Sequence, residues 1–140
     1  MNVLVDTSAL LAVLDADDAH HADARKVWQS LLDRDATLHC TNYVLLETFA
    51  LVQHRLGFAA LLAFQSDVAP VLKTQWVDSS LHATAVAALL TARRRKLSLV
   101  DCVTFEAARR LGIETVFAFD RHFAEQGFHC LPDQARSLPT

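Results

Sequence analysis

An α/β domain, its parallel sheet covered by helices on both faces, is what this chain encodes, and three observations lead there. Its 140 residues are the length of one ordinary domain. Short apolar segments alternate with longer segments of helical period throughout. Most of the short segments run directly into Asp, Thr or Ser, which start helices, so strand repeatedly feeds helix. Strands this uniformly apolar belong to sheets buried on both sides, as parallel sheets are.

The elements follow in order. Val3-Leu4-Val5 reads as a strand, and Asp6, Thr7 and Ser8 start a helix over 9–14. Over 18–32, Ala24, Val27, Trp28, Leu31 and Leu32 share a helical stripe, with His20, His21, Asp23, Arg25 and Lys26 largely off it. A strand over 37–40 reaches Thr41 and Asn42, which cap an apolar helix over 43–56 closed by Gly57. Residues 58–68 read as helix, stopping at Pro70; 71–77 read as strand before Asp78, Ser79, Ser80 and a helix over 81–94. Ser98-Leu99-Val100-Asp101 has capping-box spacing and opens a helix that Gly112 ends. A strand over 115–119, a helical turn over 120–125 and a strand-like piece over 128–131 complete the pattern, and 132–140 carries no diagnostic signal. No linker or repeat divides residues 1–140, so a single domain is expected.

Composition excludes several classes. Hydrophobic residues at 52% with three glycines and three prolines argue for a packed core and against disorder or collagen-like structure. No apolar run approaches the roughly 18 residues of a membrane span, and Asp6 interrupts the place of a signal-peptide core, so a soluble cytoplasmic protein is expected. Cys40, Cys102 and Cys130 are odd in number and widely spaced, which suggests reduced thiols rather than a disulfide framework or zinc site. Trp28, Trp76 and the eight phenylalanines read mainly as core.

Open α/β sheets bind ligands beyond the carboxyl ends of their strands, where strand order reverses. Asp6 ends the first strand and Asp120 the fourth, so parallel pairing of those strands would bring two carboxylates together. Glu47 has Tyr43, Val44, Ala50 and Leu51 as its helical neighbours and no Lys or Arg within a turn. A buried acid in that setting needs a cation. Asp101 sits one turn into its helix on a partly polar flank. Taken singly, Asp6, Asp101 and Asp120 each have a capping explanation, whereas Glu47 lies too deep in its helix for one. Together, four acids on the side where α/β sites form point to a cation-binding cluster.

The segments Val3-Leu4-Val5-Asp6-Thr7-Ser8-Ala9, Leu45-Leu46-Glu47-Thr48, Leu97-Ser98-Leu99-Val100-Asp101 and Phe119-Asp120-Arg121-His122-Phe123, in that order, resemble the PIN-domain family, of the kind found as the toxin of bacterial VapBC toxin–antitoxin pairs. The resemblance covers essentially the whole chain. It implies a three-layer α/β/α fold with a five-stranded parallel sheet in the order 3-2-1-4-5, which sets the first and fourth strands side by side. It assigns Asp6, Glu47, Asp101 and Asp120 to the acidic metal-binding and catalytic set, with Ser8 as a supporting polar residue. It further implies endoribonuclease action by water, leaving a 5′-phosphate and a 3′-hydroxyl, a small cognate antitoxin and a homodimer, for which the apolar helices between residues 42 and 68 are the contact region.

Carboxylate oxygens without thiolates favour a hard ion, Mg²⁺ or Mn²⁺, bound singly or as a pair. Net charge is −3, and setting aside the four proposed ligands leaves +1, so an RNA backbone is not repelled. Arg93, Arg94, Arg95, Lys96, Arg109, Arg110 and Arg121 are candidate phosphate contacts, although the run at 93–96 is equally read as a solvated helix end. His20 and His21, adjacent on a helix, read as a surface helix start. His122 beside Asp120 is open between a substrate contact, an acid and a local loop role. Two rival classes are an aspartyl phosphatase, disfavoured because Ser8 stands where a second acid is needed, and a nonhydrolytic PIN-like RNA-binding or scaffold module.

Overall fold

The computed structural model describes residues 1–133, so the tail expectation beyond that lies outside the described residues. In chain order the elements are β1 (Asn2–Val5), α1 (Thr7–Leu14), α2 (His21–Asp33), β2 (Thr37–Thr41), α3 (Asn42–Arg55), α4 (Phe58–Ala63), β3 (Leu72–Gln75), α5 (Ser79–Ala92), α6 (Leu99–Leu111), β4 (Thr115–Phe117), α7 (His122–Glu125) and β5 (His129–Leu131). All strand pairs are parallel and the sheet order is β3-β2-β1-β4-β5, the five-stranded order expected.

The composition of β1 explains its central place. Val3, Leu4 and Val5 are all fully buried, and their side chains alternate between the two faces. Val3 and Val5 join Leu10, Val13, Trp28, Leu38, Val44 and Phe64 in one core, while Leu4 joins Leu81, Val103, Val116 and Phe123 in the other. Two helical layers therefore pack on one sheet, as sheets buried on both faces require.

Several boundaries differ from those read in the sequence. The chain does not stop being helical at Pro70: a wide turn over Phe64–Val68 passes into a tight turn over Ala69–Val71, whose opening positions accept proline because no N–H is needed there. The third and fourth strands end at Gln75 and Phe117, each two residues early, because only those registers find a partner in β2, β1 and β5. Helix α5 ends at Ala92, with Arg93 in the left-handed region at φ 53°. Not all aromatic residues are core: Trp76 and Phe58 are 76% and 66% exposed. Cys40 and Cys102 are buried and Cys130 half-buried, all free thiols; burial pushes Cys40 up to about 12, leaving it protonated and inert. Among the described residues no helix is long and apolar enough to cross a membrane.

Candidate active site

Asp6 is the first residue past β1 and the N-cap of α1. Its N–H extends the ladder by bonding Phe117 O at 3.0 Å. Its Oδ2 accepts from the Ser8 N–H at 3.1 Å and the Ser8 hydroxyl at 2.6 Å. Ser8 Oγ in turn accepts from the Phe119 N–H at 3.0 Å, which ties the segment leaving β4 to the start of α1. Asp120 follows at once, its Oδ1 accepting from the His122 N–H at 2.9 Å. The side-by-side pairing of β1 and β4 thus delivers both acids to one edge of the sheet.

Asp101 arrives from α6 through the capping box: the Ser98 hydroxyl accepts from Asp101 N–H at 3.0 Å, and Asp101 Oδ2 accepts from Ser98 N–H at 3.2 Å. Glu47 comes from the middle of α3. Asp6, Ser8, Glu47, Asp101 and Asp120 line one cleft with Thr7, Leu11, Leu51, Lys96 and Ser98. The four acids singled out in the sequence and their supporting serine therefore meet in space.

The expected deep burial of Glu47 is not observed. It is half-buried, because its apolar helical neighbours border an open groove lined by Tyr43, Leu46, Ala50, Leu99 and Val100 rather than the core. Among the described residues, Asp6, Glu47 and Asp101 form no ion pair with Lys or Arg. Among the described residues, no Lys or Arg therefore neutralises these three carboxylates.

Electrostatics reflects that. Burial pushes the Asp6 carboxyl up to about 7; the Ser8 hydroxyl and N–H pull it down, while the fields of Asp101 and Asp120 add to the rise. Asp101 is likewise raised, by burial first and then against the Ser98 N–H, with Asp120 adding to the rise. Two further polar atoms at the site, Thr7 Oγ1 and His122 Nδ1, are buried without a hydrogen-bond partner among the described residues. Ligand atoms of Asp101, Asp120 and His122 lie within 4.8 Å of one another, and Asp6 and Glu47 face the same cleft outside that group. A divalent cation fits this donor set: it would stabilise the carboxylates in their charged form.

The basic residues divide. Lys96 stands on the cleft wall, exposed, and Arg121 lines a neighbouring hollow with Phe119, Asp120 and Phe128. Arg93 closes α5 and Arg95 is exposed. Arg94 is engaged at 2.8 Å with Glu125, Arg109 with Gln126 and Glu106, and Arg110 with Ser80, Thr84 and Asp78. His20 stacks on Phe119 with ring centroids 4.4 Å apart, and His21 Nδ1 bonds Ala12 O, so neither forms part of a second metal cluster among the described residues. The capping box read from the spacing of Ser98 and Asp101 is present, whereas the convergence of Asp101, Asp120 and His122 carried no signal in the sequence, since tertiary packing brings them together.

The model of the PIN domain matches residues 3–128. The chain belongs to the PIN-domain family. The "23S rRNA-specific endonuclease VapC20" of Mycobacterium tuberculosis, found in strains CDC 1551 / Oshkosh and ATCC 25618 / H37Rv, is 33% identical over 127 residues, covering 90% of this chain and 95% of the relative. The crystal structure of VapC20, described as a Sarcin-Ricin loop cleaving toxin, superposes with a TM-score of 0.80 at 31% identity, over 90% of this chain and 95% of that one. FitAcB from Neisseria gonorrhoeae shares the fold at a TM-score of 0.66 and 14% identity, over 91% and 93% of the two chains. This PIN domain thus carries its acids beyond the ends of β1 and β4, at the start of α6 and on α3, around a single cleft.

Proposed function

We propose that this chain, acting as a single PIN domain over residues 1–140, is a Mg²⁺- or Mn²⁺-dependent endoribonuclease and the toxin of a toxin–antitoxin pair. The observation that carries the reading is the convergence of Asp6, Glu47, Asp101 and Asp120 on one cleft, with no Lys or Arg among the described residues paired to Asp6, Glu47 or Asp101. The similarity to VapC20 supports RNA as the substrate and makes a structured ribosomal RNA loop the first to try.

Asp6, Glu47, Asp101 and Asp120 would hold one or two ions directly or through water. When bound, such an ion acidifies a coordinated water and neutralises charge on the attacked phosphate and the leaving oxygen. The chain's own contribution is placement. Ser8 fixes Asp6, Ser98 fixes Asp101, and the His122 N–H fixes Asp120, so the carboxylates meet substrate without reorganising. Lys96 meets a backbone phosphate at the cleft wall, with Arg121 on the adjoining side and the exposed Arg93 and Arg95 further along the same run, while Arg94 is held by Glu125. Water attacks, leaving a 5′-phosphate and a 3′-hydroxyl.

A small antitoxin fits the apolar groove of Tyr43, Leu46, Ala50, Leu99 and Val100, which shares Glu47 with the acidic cleft, so a peptide seated there would reach the site. The exposed Phe58 and Leu62 of α4 are the surface for a homodimer in the cytoplasm. The test is cleavage of ribosomal RNA by the purified protein with Mg²⁺ or Mn²⁺. Loss of cleavage with chelator and in Asp6→Asn is expected, and undiminished cleavage in either would overturn the proposal.

A further inference from the structure

His122 opens the short helix α7 behind the acidic cleft and is only 6% exposed. Its backbone N–H is used, bonding Asp120 Oδ1, but its ring nitrogen Nδ1 is buried with no hydrogen-bond partner among the described residues. The nearest carboxylate oxygen, Asp120 Oδ1, lies 3.8 Å from Nδ1, too far for a hydrogen bond. A buried polar nitrogen left unpaired is unfavourable in either tautomer, so packing alone does not account for a histidine here. A nitrogen of this ring nevertheless lies within 4.8 Å of ligand atoms of both Asp101 and Asp120, a spacing that one cation can bridge.

We infer that His122 is a metal ligand, donating the Nδ1 lone pair alongside Asp101 and Asp120, so that the centre is a mixed nitrogen–oxygen site selective for Mn²⁺ over Mg²⁺. The inference rests on the metal-dependent reading above and adds to it the identity of the donor. Mg²⁺ prefers oxygen ligands and retained water, whereas imidazole nitrogen suits transition ions. Asp120 and His122 are joined by the 2.9 Å bond between side chain and backbone, so the turn that places one donor places the other.

The test is pulsed electron paramagnetic resonance of Mn²⁺ added to the purified full-length protein, read for ¹⁴N modulation. The wild type is expected to show a nitrogen coupling that His122→Ala loses and the exposed α3 variant His54→Ala keeps. Titration should show His122→Ala binding Mn²⁺ at least about tenfold more weakly while Mg²⁺ affinity changes much less. Mn²⁺ bound to the wild type without nitrogen coupling would overturn ligation by His122, and this outcome needs no variant to fold. His122→Asn, compared by circular dichroism, separates loss of a ligand from loss of structure. Absence of any Mn²⁺ binding, in wild type and Asp101→Asn alike, would instead remove the metal-dependent reading together with this inference.

Discussion

Ser8 and Phe119 stand 111 residues apart, and the hydroxyl of the first accepts from the N–H of the second at 3.0 Å while donating to Asp6 at 2.6 Å. One oxygen therefore registers the exit of β4 against the first acid of the cleft. Ser8→Ala removes both bonds: it leaves the Phe119 N–H unpaired and strips Asp6 of its strongest lowering influence. The expected outcome is a loss of about 1–3 kcal/mol in stability by denaturant titration. Cleavage should also need a higher pH, because the Asp6 carboxyl rises further, and a pH–rate profile checks that shift.

Asp6 makes the metal-free protein sensitive to pH in a defined direction. Its carboxyl titrates near 7 when folded and in the ordinary carboxylate range when unfolded, so between those values the folded state binds the extra proton. Stability is therefore fullest below the unfolded value and falls as pH rises through about 7, by roughly 4 kcal/mol if the whole difference is expressed. Asp101 is raised as well and acts in the same sense. Melting temperatures of chelator-treated protein should decline from pH 4 to 8. Asp6→Asn should flatten the decline and melt higher than wild type at pH 8 while cleaving no RNA.

Divalent ions should reverse that instability where the carboxylates are charged. Protons compete with metal for Asp6, so added Mn²⁺ should raise the melting temperature more at pH 8 than at pH 5. Equal shifts at the two values would mean that the ion binds away from Asp6.

Much of this architecture is legible in the sequence because local signals agree. Val3-Leu4-Val5 specifies a strand buried on both sides, and Ser98 with Asp101 specifies the start of α6. Strand ends at Gln75 and Phe117 are not legible, since pairing partners decide them. Glu47 shows a second limit. Its apolar helical neighbours signal a face, but only tertiary packing decides whether that face meets core or groove, and here Leu46 is 71% exposed. The proximity of His122 to Asp101 was hidden for the same reason: α6 and α7 are brought together by the sheet, not by local spacing.

Lys96 separates phosphate contact from structural charge. It is exposed on the cleft wall, whereas Arg94, two residues earlier, pairs with Glu125 on the surface. Lys96→Ala should raise KM for RNA and reduce the salt slope of binding by about one, with folding unaffected. Arg94→Ala should instead cost at most about 1 kcal/mol, because both partners are largely solvated. Filter binding over a salt series and urea titration of each variant check the contrast.

Glu47 carries the sharpest division between fold and chemistry. It is half-buried on α3, forms no ion pair among the described residues, and lies mid-helix where it caps nothing. Removing its charge while keeping its shape should therefore leave stability within about 0.5 kcal/mol, as for a surface change away from any structural partner. Its carboxylate faces the same cleft as Asp6, Asp101 and Asp120, so Glu47→Gln should lower kcat by roughly a hundredfold or more through loss of a charged cation ligand. Single-turnover cleavage beside a denaturant titration gives both numbers from one preparation. A variant that cleaves normally would place Glu47 outside the metal-binding set, and one that unfolds would make it a structural residue instead.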